Sequence, residues 1–278
     1  MNFFKPKNLN ELFEITATID EKYYFLAGGT DINVQIKHRM IPQNANIIFI
    51  NELHELQGIN ETEKQIIFGT LTTFEALIKS DTVKSYLPLL SDNLQNFASP
   101  LLQTTATIGG NIANGSPTAD IMPLLLILDA KLILANKTGE RVICLSDFYS
   151  GYKKNDLQKG EIIKSITIEK SAQAESKTYY RKVGARKTLT IAKVSIAALW
   201  EIDSLILQKI YLAAGSLNEY ARRLPLTEEY LTGKKISEID DVKLFAIIQQ
   251  EITPISDLRS DSDYRLQVFN NLMKKIIT

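Results

Sequence analysis

Five of the chain's 13 glycines fall in two short segments, and these are the parts of the sequence best shaped to meet a ligand. The first is Phe25-Leu26-Ala27-Gly28-Gly29-Thr30-Asp31-Ile32, an apolar run that turns through two glycines into a helical pattern. Glycine there permits positive φ and lets a ligand approach the backbone with no Cβ in the way. Thr30 is placed to cap the helix that follows, and the N–H groups of such a turn form an anion site suited to phosphate. A plain tight turn would use the same two glycines, so this segment alone leaves both readings open.

The second segment runs from Thr107 through Ile108, Gly109, Gly110, Asn111 and Gly115 to Ser116, Pro117 and Asp120, and it is small and polar almost throughout. Ser116 reads as the N-cap and Pro117 as the first residue of the apolar helix beyond. A long polar stretch ahead of a buried helix makes little sense as packing. It predicts a groove lined by backbone amides, hydroxyls and one carboxylate, which suits a dinucleotide with a pyrophosphate and sugar hydroxyls. Neither segment has the Gly-x-Gly-x-x-Gly spacing or a lysine-bearing phosphate loop, which disfavours tightly held NAD and ATP.

The rest of the composition narrows the chemistry. Lysine and arginine total 32 and so do aspartate and glutamate, a balance that argues against binding nucleic acid or an anionic membrane surface. Cys144 is the single cysteine and His38 and His54 are the only histidines, so the chain offers no conventional metal site and no cysteine-ligated cluster. Redox chemistry here needs an organic cofactor. Cys144 itself reads as a buried small hydrophobe. No apolar run approaches the roughly 18 residues that span a bilayer, and the first residues lack the layout of a signal peptide. A cytoplasmic location is the expectation.

The elements that must hold these segments are readable in outline. Strands are expected at Tyr23 to Ala27 and Ile47 to Ile50, with a helix from Ile32 to Met40 between them, a compact βαβ-like unit. Further strands fit Gln65 to Thr70 and a hairpin of 131–135 with 141–145, and helices start near Thr73, after Leu87 and at Thr118. The polar stretch Glu169 to Lys177 reads as a linker. Beyond it come strands at 178–183, 194–202 and 205–214 and helices at about 238–250 and 262–276. The fold class is α+β, in two domains joined near residue 172.

At the two glycine segments the sequence resembles the FAD-binding subunits and domains of xanthine dehydrogenase, aerobic carbon monoxide dehydrogenase and 4-hydroxybenzoyl-CoA reductase. Ala27-Gly28-Gly29-Thr30-Asp31-Ile32 is similar to that family's first flavin loop. Thr107 to Ile112 with Ser116-Pro117-Thr118-Ala119-Asp120 is similar to its second. The likeness continues through Gly139-Glu140-Arg141, Gly160-Glu161-Ile162-Ile163, Tyr180-Arg181-Lys182-Val183, Arg222-Arg223-Leu224-Pro225 and Asp257-Leu258-Arg259-Ser260. It covers essentially the whole chain in family order.

The resemblance implies a two-part FAD-binding domain of the vanillyl-alcohol oxidase (PCMH) type over residues 1–171, with subdomains of about 1–55 and 56–171. A smaller α+β C-terminal domain, of the kind in carbon monoxide dehydrogenase flavoproteins, would cover 175–278. Phe25, Leu26, Ala27, Gly28, Gly29, Thr30, Asp31 and Ile32 would wrap the pyrophosphate. Thr107, Gly109, Gly110, Asn111, Ser116 and Asp120 would meet the phosphate and sugar region, and Phe97 would lie along the flavin. Ile163 and Lys182 would approach it from the edge of the second domain. On the residues alone each has a plainer role: Phe97 in a core, Asp120 as a first-turn carboxylate, Lys182 as a solvated strand lysine.

The implied partners are a molybdopterin-binding large subunit and a [2Fe–2S] small subunit, with NAD⁺ or another acceptor receiving the electrons. No catalytic side chain and no metal ligand is expected in this chain. Family members often carry Arg-Asn where this chain has Gln103-Thr104, which puts that contact in question here. A self-contained flavin-dependent reductase of the same fold is the alternative, although no constellation of proton donors in the second half suggests a substrate site.

Overall fold

Four sheets and the helices between them organise the chain, and the computed structural model describes residues 1–186 and 189–277. The first unit is β1 (Asn2–Phe4), α1 (Leu9–Thr18), β2 (Tyr23–Leu26), α2 (Ile32–Lys37) and β3 (Asn46–Phe49). Its strands run parallel in the order β1-β3-β2, the βαβ arrangement expected. Crossover helices cover both faces of such a sheet, so consecutive residues of its central strand are both buried. Ile48 packs with Leu12 and Ile19 on one face, and Ile47 packs with Ile41 and Ala45 on the other. The sequence gives α1 a cap, Asn8, whose side chain accepts the Glu11 N–H at 2.9 Å; this helix is not among the expected ones.

Two expectations around α2 are corrected. The helix stops at Lys37, short of Met40, because Arg39 takes a left-handed conformation (φ +56°). Thr30 does not cap it. The N-cap position falls to Asp31, whose backbone is already helical, so no extended residue aims a side-chain oxygen back at the first turn.

The second unit is β4 (Ile59–Glu61), β5 (Gln65–Gly69), then α3 (Phe74–Lys79), α4 (Asp81–Tyr86), α5 (Pro88–Leu94), α6 (Pro100–Gln103), α7 (Ile108–Asn114) and α8 (Ile121–Ile127). It continues as β6 (Lys131–Asn136), β7 (Gly139–Cys144), the small hairpin β8 (Tyr149–Gly151) with β9 (Lys154–Asn155), and β10 (Ile162–Glu169). The sheet is antiparallel in the order β4-β5-β10-β6-β7, with the β6–β7 hairpin as read from sequence. Cys144, at the end of that hairpin, is half-buried, not fully enclosed.

The second glycine segment differs from expectation. Residues 108–114 are helical: Thr107 caps α7 by accepting the Gly110 N–H at 3.1 Å, and Gly115 ends it at φ +59°. Ser116 accepts the Thr118 N–H at 3.3 Å in a local turn and caps no helix, since α8 begins only at Ile121.

The third unit is β11 (Lys177–Val183), β12 (Val194–Asp203), β13 (Ile206–Gly215) and β14 (Arg222–Arg223), antiparallel in that order, with α9 (Pro225–Leu231), α10 (Asp241–Glu251) and α11 (Ser262–Ile277) on one face. The segment read as a linker is tied down: Lys170–Gln173 form a 3₁₀ turn, Lys170 pairs with Glu61 at 2.9 Å, and Leu89 donates its N–H to Gln173 at 3.3 Å.

Helix α8 lies between the second and third sheets, and all seven of its residues are buried. A helix without a polar face needs apolar cover all round. Leu132, Leu134 and Ile166 of the second sheet and Ala197, Leu199 and Ala213 of the third belong to the same core as α8. The intervening residues Ile196 and Ala198 point the other way, under α9 to α11, as period-two alternation requires.

Candidate functional site

The two glycine segments line one cleft of about 810 Å³. Gly28 brings them together. A Cβ built on it would stand 1.8 Å from the main-chain oxygen of Thr105, so only glycine allows the first loop to lie against the second. Gly29 then takes φ +73°, turning the chain into α2. Among the described residues the N–H groups of Gly28, Gly29, Thr30 and Asp31 donate to no protein acceptor. Four amides at the entry to a helix gather positive potential where an anion can reach them.

The opposite wall works differently from the amide-lined groove expected there. The N–H groups of Ile108, Gly109 and Gly110 are taken up by Thr72 O, Thr70 O and the Thr107 hydroxyl. What this wall offers is side chains. The Thr107 hydroxyl accepts from Gly110 and so keeps its own proton to donate. Asn111 carries a buried Oδ1 with no partner in the protein. A 3.4 Å contact from Gln35 Nε2 to Asn114 Oδ1 ties α2 to α7.

Phe25, Ala27, Gly28, Gly29, Thr30, Asp31, Ile32, Thr107, Gly109, Gly110, Asn111 and Ile163 all line the cleft, and so does Phe97. The Phe97 ring stacks on Phe74 with centroids 3.8 Å apart, and its carbonyl accepts a 2.7 Å hydrogen bond from the Gln103 amide. Gln103 therefore fixes the Phe97 turn. Leu26 points away into the small core with Ile47.

Ser116, Asp120 and Lys182 are not part of the cleft wall. Asp120 and Lys182 instead find each other across 62 residues of sequence, Nζ to Oδ2 at 2.5 Å, with each side chain 18% exposed. Burial pushes the Asp120 carboxyl above the usual carboxylate value even though the Lys182 ammonium opposes the shift. Its second oxygen, Oδ1, is buried without a partner. The Tyr180 hydroxyl donates to the Asp120 carbonyl at 3.1 Å.

The third wall was not foreseen as part of the site beyond Ile163. Gln158, Glu161 and Ile162 stand there, with Glu161 only 4% exposed. Its sole sequence signal was membership of Gly160-Glu161-Ile162-Ile163. Free backbone donors on one loop, a hydroxyl and an amide on the other and an aromatic ring between them fit a dinucleotide carrying a pyrophosphate. The orphaned Oδ1 of Asn111 adds an acceptor in the same wall. Among the described residues no group of three His, Cys, Asp or Glu could hold a metal ion.

Comparison with known proteins agrees with this geometry. Residues 1–170 match the family described as the FAD binding domain in molybdopterin dehydrogenase, and residues 179–278 match the CO dehydrogenase flavoprotein C-terminal domain. The glyceraldehyde dehydrogenase medium chain of Sulfolobus acidocaldarius is 31% identical over 90% of this chain and 88% of its own length. The carbon monoxide dehydrogenase medium chain of Hydrogenophaga pseudoflava is 27% identical over 99% of this chain and 95% of the relative. The solved carbon monoxide dehydrogenase of that organism superposes with a TM-score of 0.92 at 27% identity, over 99% of this chain and 95% of that one. The chain thus belongs to the family of FAD-binding subunits of the molybdenum hydroxylases, oxidoreductases of the xanthine and carbon monoxide dehydrogenase type, and its cofactor is FAD.

Proposed function

We propose that this chain is the electron-transfer link of a heteromeric molybdenum hydroxylase, holding FAD in the cleft between its glycine loops. The free N–H groups from Gly28 to Asp31 carry this reading, because they are preset donors for a pyrophosphate. Around them, the Thr107 hydroxyl and Asn111 meet phosphate and sugar, Phe97 lies along the flavin, and Ile163 reaches it from β10. Ser116, Asp120 and Lys182 lie outside the cleft wall, and in this reading the Asp120–Lys182 pair, which joins the third unit to the start of α8, supports the ligand shell from behind. Residues 1–171 and 175–278 are the two domains of this arrangement.

When bound, FAD supplies a centre that takes electrons singly and gives them up in pairs. The protein's part is to hold and orient it and to keep the pyrophosphate neutralised, which calls for no acid–base side chain. With one cysteine the chain cannot carry iron–sulfur clusters, so the electrons come from a partner [2Fe–2S] subunit, and hydroxylation belongs to a molybdopterin-binding large subunit. NAD⁺ or another acceptor takes the electrons onward. No described helix is long and apolar enough to cross a membrane.

Capture of the tagged chain from its native host, followed by mass spectrometry and assay, tests this. The expected result is recovery with an iron–sulfur and a molybdopterin subunit, and only slow NADH-to-dye transfer by the isolated chain. Recovery of a lone protein that turns over an organic substrate by itself would overturn it.

A further inference from the structure

The third wall of the cleft contains a charge that a site for an anion should not tolerate. Glu161 lies in that wall, 4% exposed, in a cleft whose other lining acid, Asp31, is in open solvent. An unpaired enclosed carboxylate in one wall of the cleft would repel an anionic ligand bound anywhere along it, because attraction and repulsion between charges reach over several ångströms where water is scarce. The charge is met from behind. Arg141 sits on β7, outside the cleft, and grips Glu161 with two bonds, Nε to Oε1 at 2.7 Å and Nη2 to Oε2 at 2.8 Å. The same guanidinium holds Asp156 through Nη1 to Oδ2 at 2.7 Å and Nη2 to the carbonyl at 2.6 Å. Gln158 adds its N–H to Glu161 Oε2 at 2.7 Å. Arginine is the side chain suited to such a planar, forked grip. The segment it fixes, 156–163, also docks on the first unit, where the Gly160 N–H donates to the Tyr23 hydroxyl at 3.0 Å.

We propose that Arg141 is a positioning residue for the flavin. It cancels the Glu161 charge and anchors the wall that carries Ile162 and Ile163, without touching the cofactor. This rests on the cleft being the FAD site. Removing one member of a buried pair leaves the other charge uncompensated, whereas replacing both can be close to neutral. That asymmetry gives the test.

The full chain is stripped of flavin and titrated with FAD by fluorescence, as wild type, Arg141→Met, Glu161→Gln and the double variant. Arg141→Met should weaken binding by about tenfold or more, the size of an unscreened charge in a partly buried setting. The double variant should return to within about threefold of wild type, because the enclosed charge is gone and the Asp156 carboxylate that Arg141 also held is half exposed and hydrated. Circular dichroism of each stripped protein reports whether it is folded. If Arg141→Met does not fold, Glu161→Gln alone decides, and it should bind FAD as tightly as wild type or more so. Equal affinity in wild type and Arg141→Met overturns the proposal, and so does a double variant as weak as the single one or a tenfold loss in Glu161→Gln. A wild-type protein that takes up no FAD would instead sink the reading of the cleft itself.

Discussion

Gly28 lies against the main-chain carbonyl of Thr105, close enough that a built Cβ would stand 1.8 Å from the oxygen. The first glycine loop is therefore in backbone contact with the turn that leads into the second, and their spacing is set by a missing side chain. Backbone cannot move aside as a flexible side chain can. Gly28→Ala should destabilise the protein by about 1–3 kcal/mol through overpacking and loosen flavin at the same time. Thermal unfolding and the bound-flavin content of the purified variant measure both. A variant with wild-type melting and full flavin content would show that the loops part at no cost.

Gly29 and Gly110 occupy a different position. Gly29 has φ +73° and both line the cleft, and the nearest atom to a Cβ built on Gly110 is the Thr107 hydroxyl oxygen at 2.8 Å. Gly29→Val and Gly110→Val should each abolish flavin binding while the fold survives, with left-handed strain of about 1–2 kcal/mol at Gly29. Retained colour in both would place the site elsewhere.

Asp120 and Glu161 should respond to pH in opposite senses. Burial raises the Asp120 carboxyl, so the folded state holds its proton where the unfolded state has lost it, and stability falls as pH rises through that raised value. Arg141 lowers Glu161, so its contribution is present above the ordinary carboxylate range and is lost as pH falls through the lowered value. Melting curves across acidic to neutral pH should show this: Asp120→Asn flattens the descent toward neutral pH, and Glu161→Gln flattens the loss in acid. Lys182→Met should steepen the Asp120 component, because the opposing ammonium is gone. Parallel curves for all these proteins would contradict the assignment.

On the proposal that the Asp120–Lys182 pair supports the ligand shell, Asp120→Ala should weaken FAD binding by about 1–3 kcal/mol, because it leaves the Lys182 ammonium without its partner. The flavin released on heating should be FAD and not FMN, since the free amides of the first loop are matched to a pyrophosphate. Chromatography of the heat supernatant shows which is present.

Tyr149 is buried, and its hydroxyl donates to the Ile112 carbonyl at 2.6 Å, near the end of α7. Tyr149→Phe removes one of two donors to that carbonyl, leaving the Gly115 N–H at 3.0 Å, and should lower stability by about 0.5–1.5 kcal/mol. Chemical denaturation gives the value directly, and an unchanged midpoint would mean that water replaces the hydroxyl.

How much of this was legible beforehand follows from how local each feature is. The first loop, the β6–β7 hairpin and strands β11 to β13 show in local patterns and were readable; the two-residue β14 was not. Helix α7 was not, because Gly109-Gly110-Asn111 disfavours helix. It forms through tertiary contacts: Ile108 and Ile112 are buried four residues apart, Thr107 caps it, and Gly109 is pressed against Thr70, where a Cβ would fall 1.6 Å from the hydroxyl. Asp120 with Lys182 and Arg141 with Glu161 are partners 62 and 20 residues apart, brought together only by the tertiary fold. Periodicity carries no trace of such pairs. The resemblance pointed to Asp120 and Lys182 individually and said nothing of their mutual contact.

Helix α8 has no face for water, and its cover comes from sheets on both sides of the segment near residue 172. The two halves are consequently not interchangeable cassettes. Exchanging the C-terminal half with that of a distant relative would set a foreign surface against α8, and expressing residues 1–171 alone would bare an oily stripe that invites clumping. Substitutions in rim loops and outer helices, by contrast, leave the seam closed.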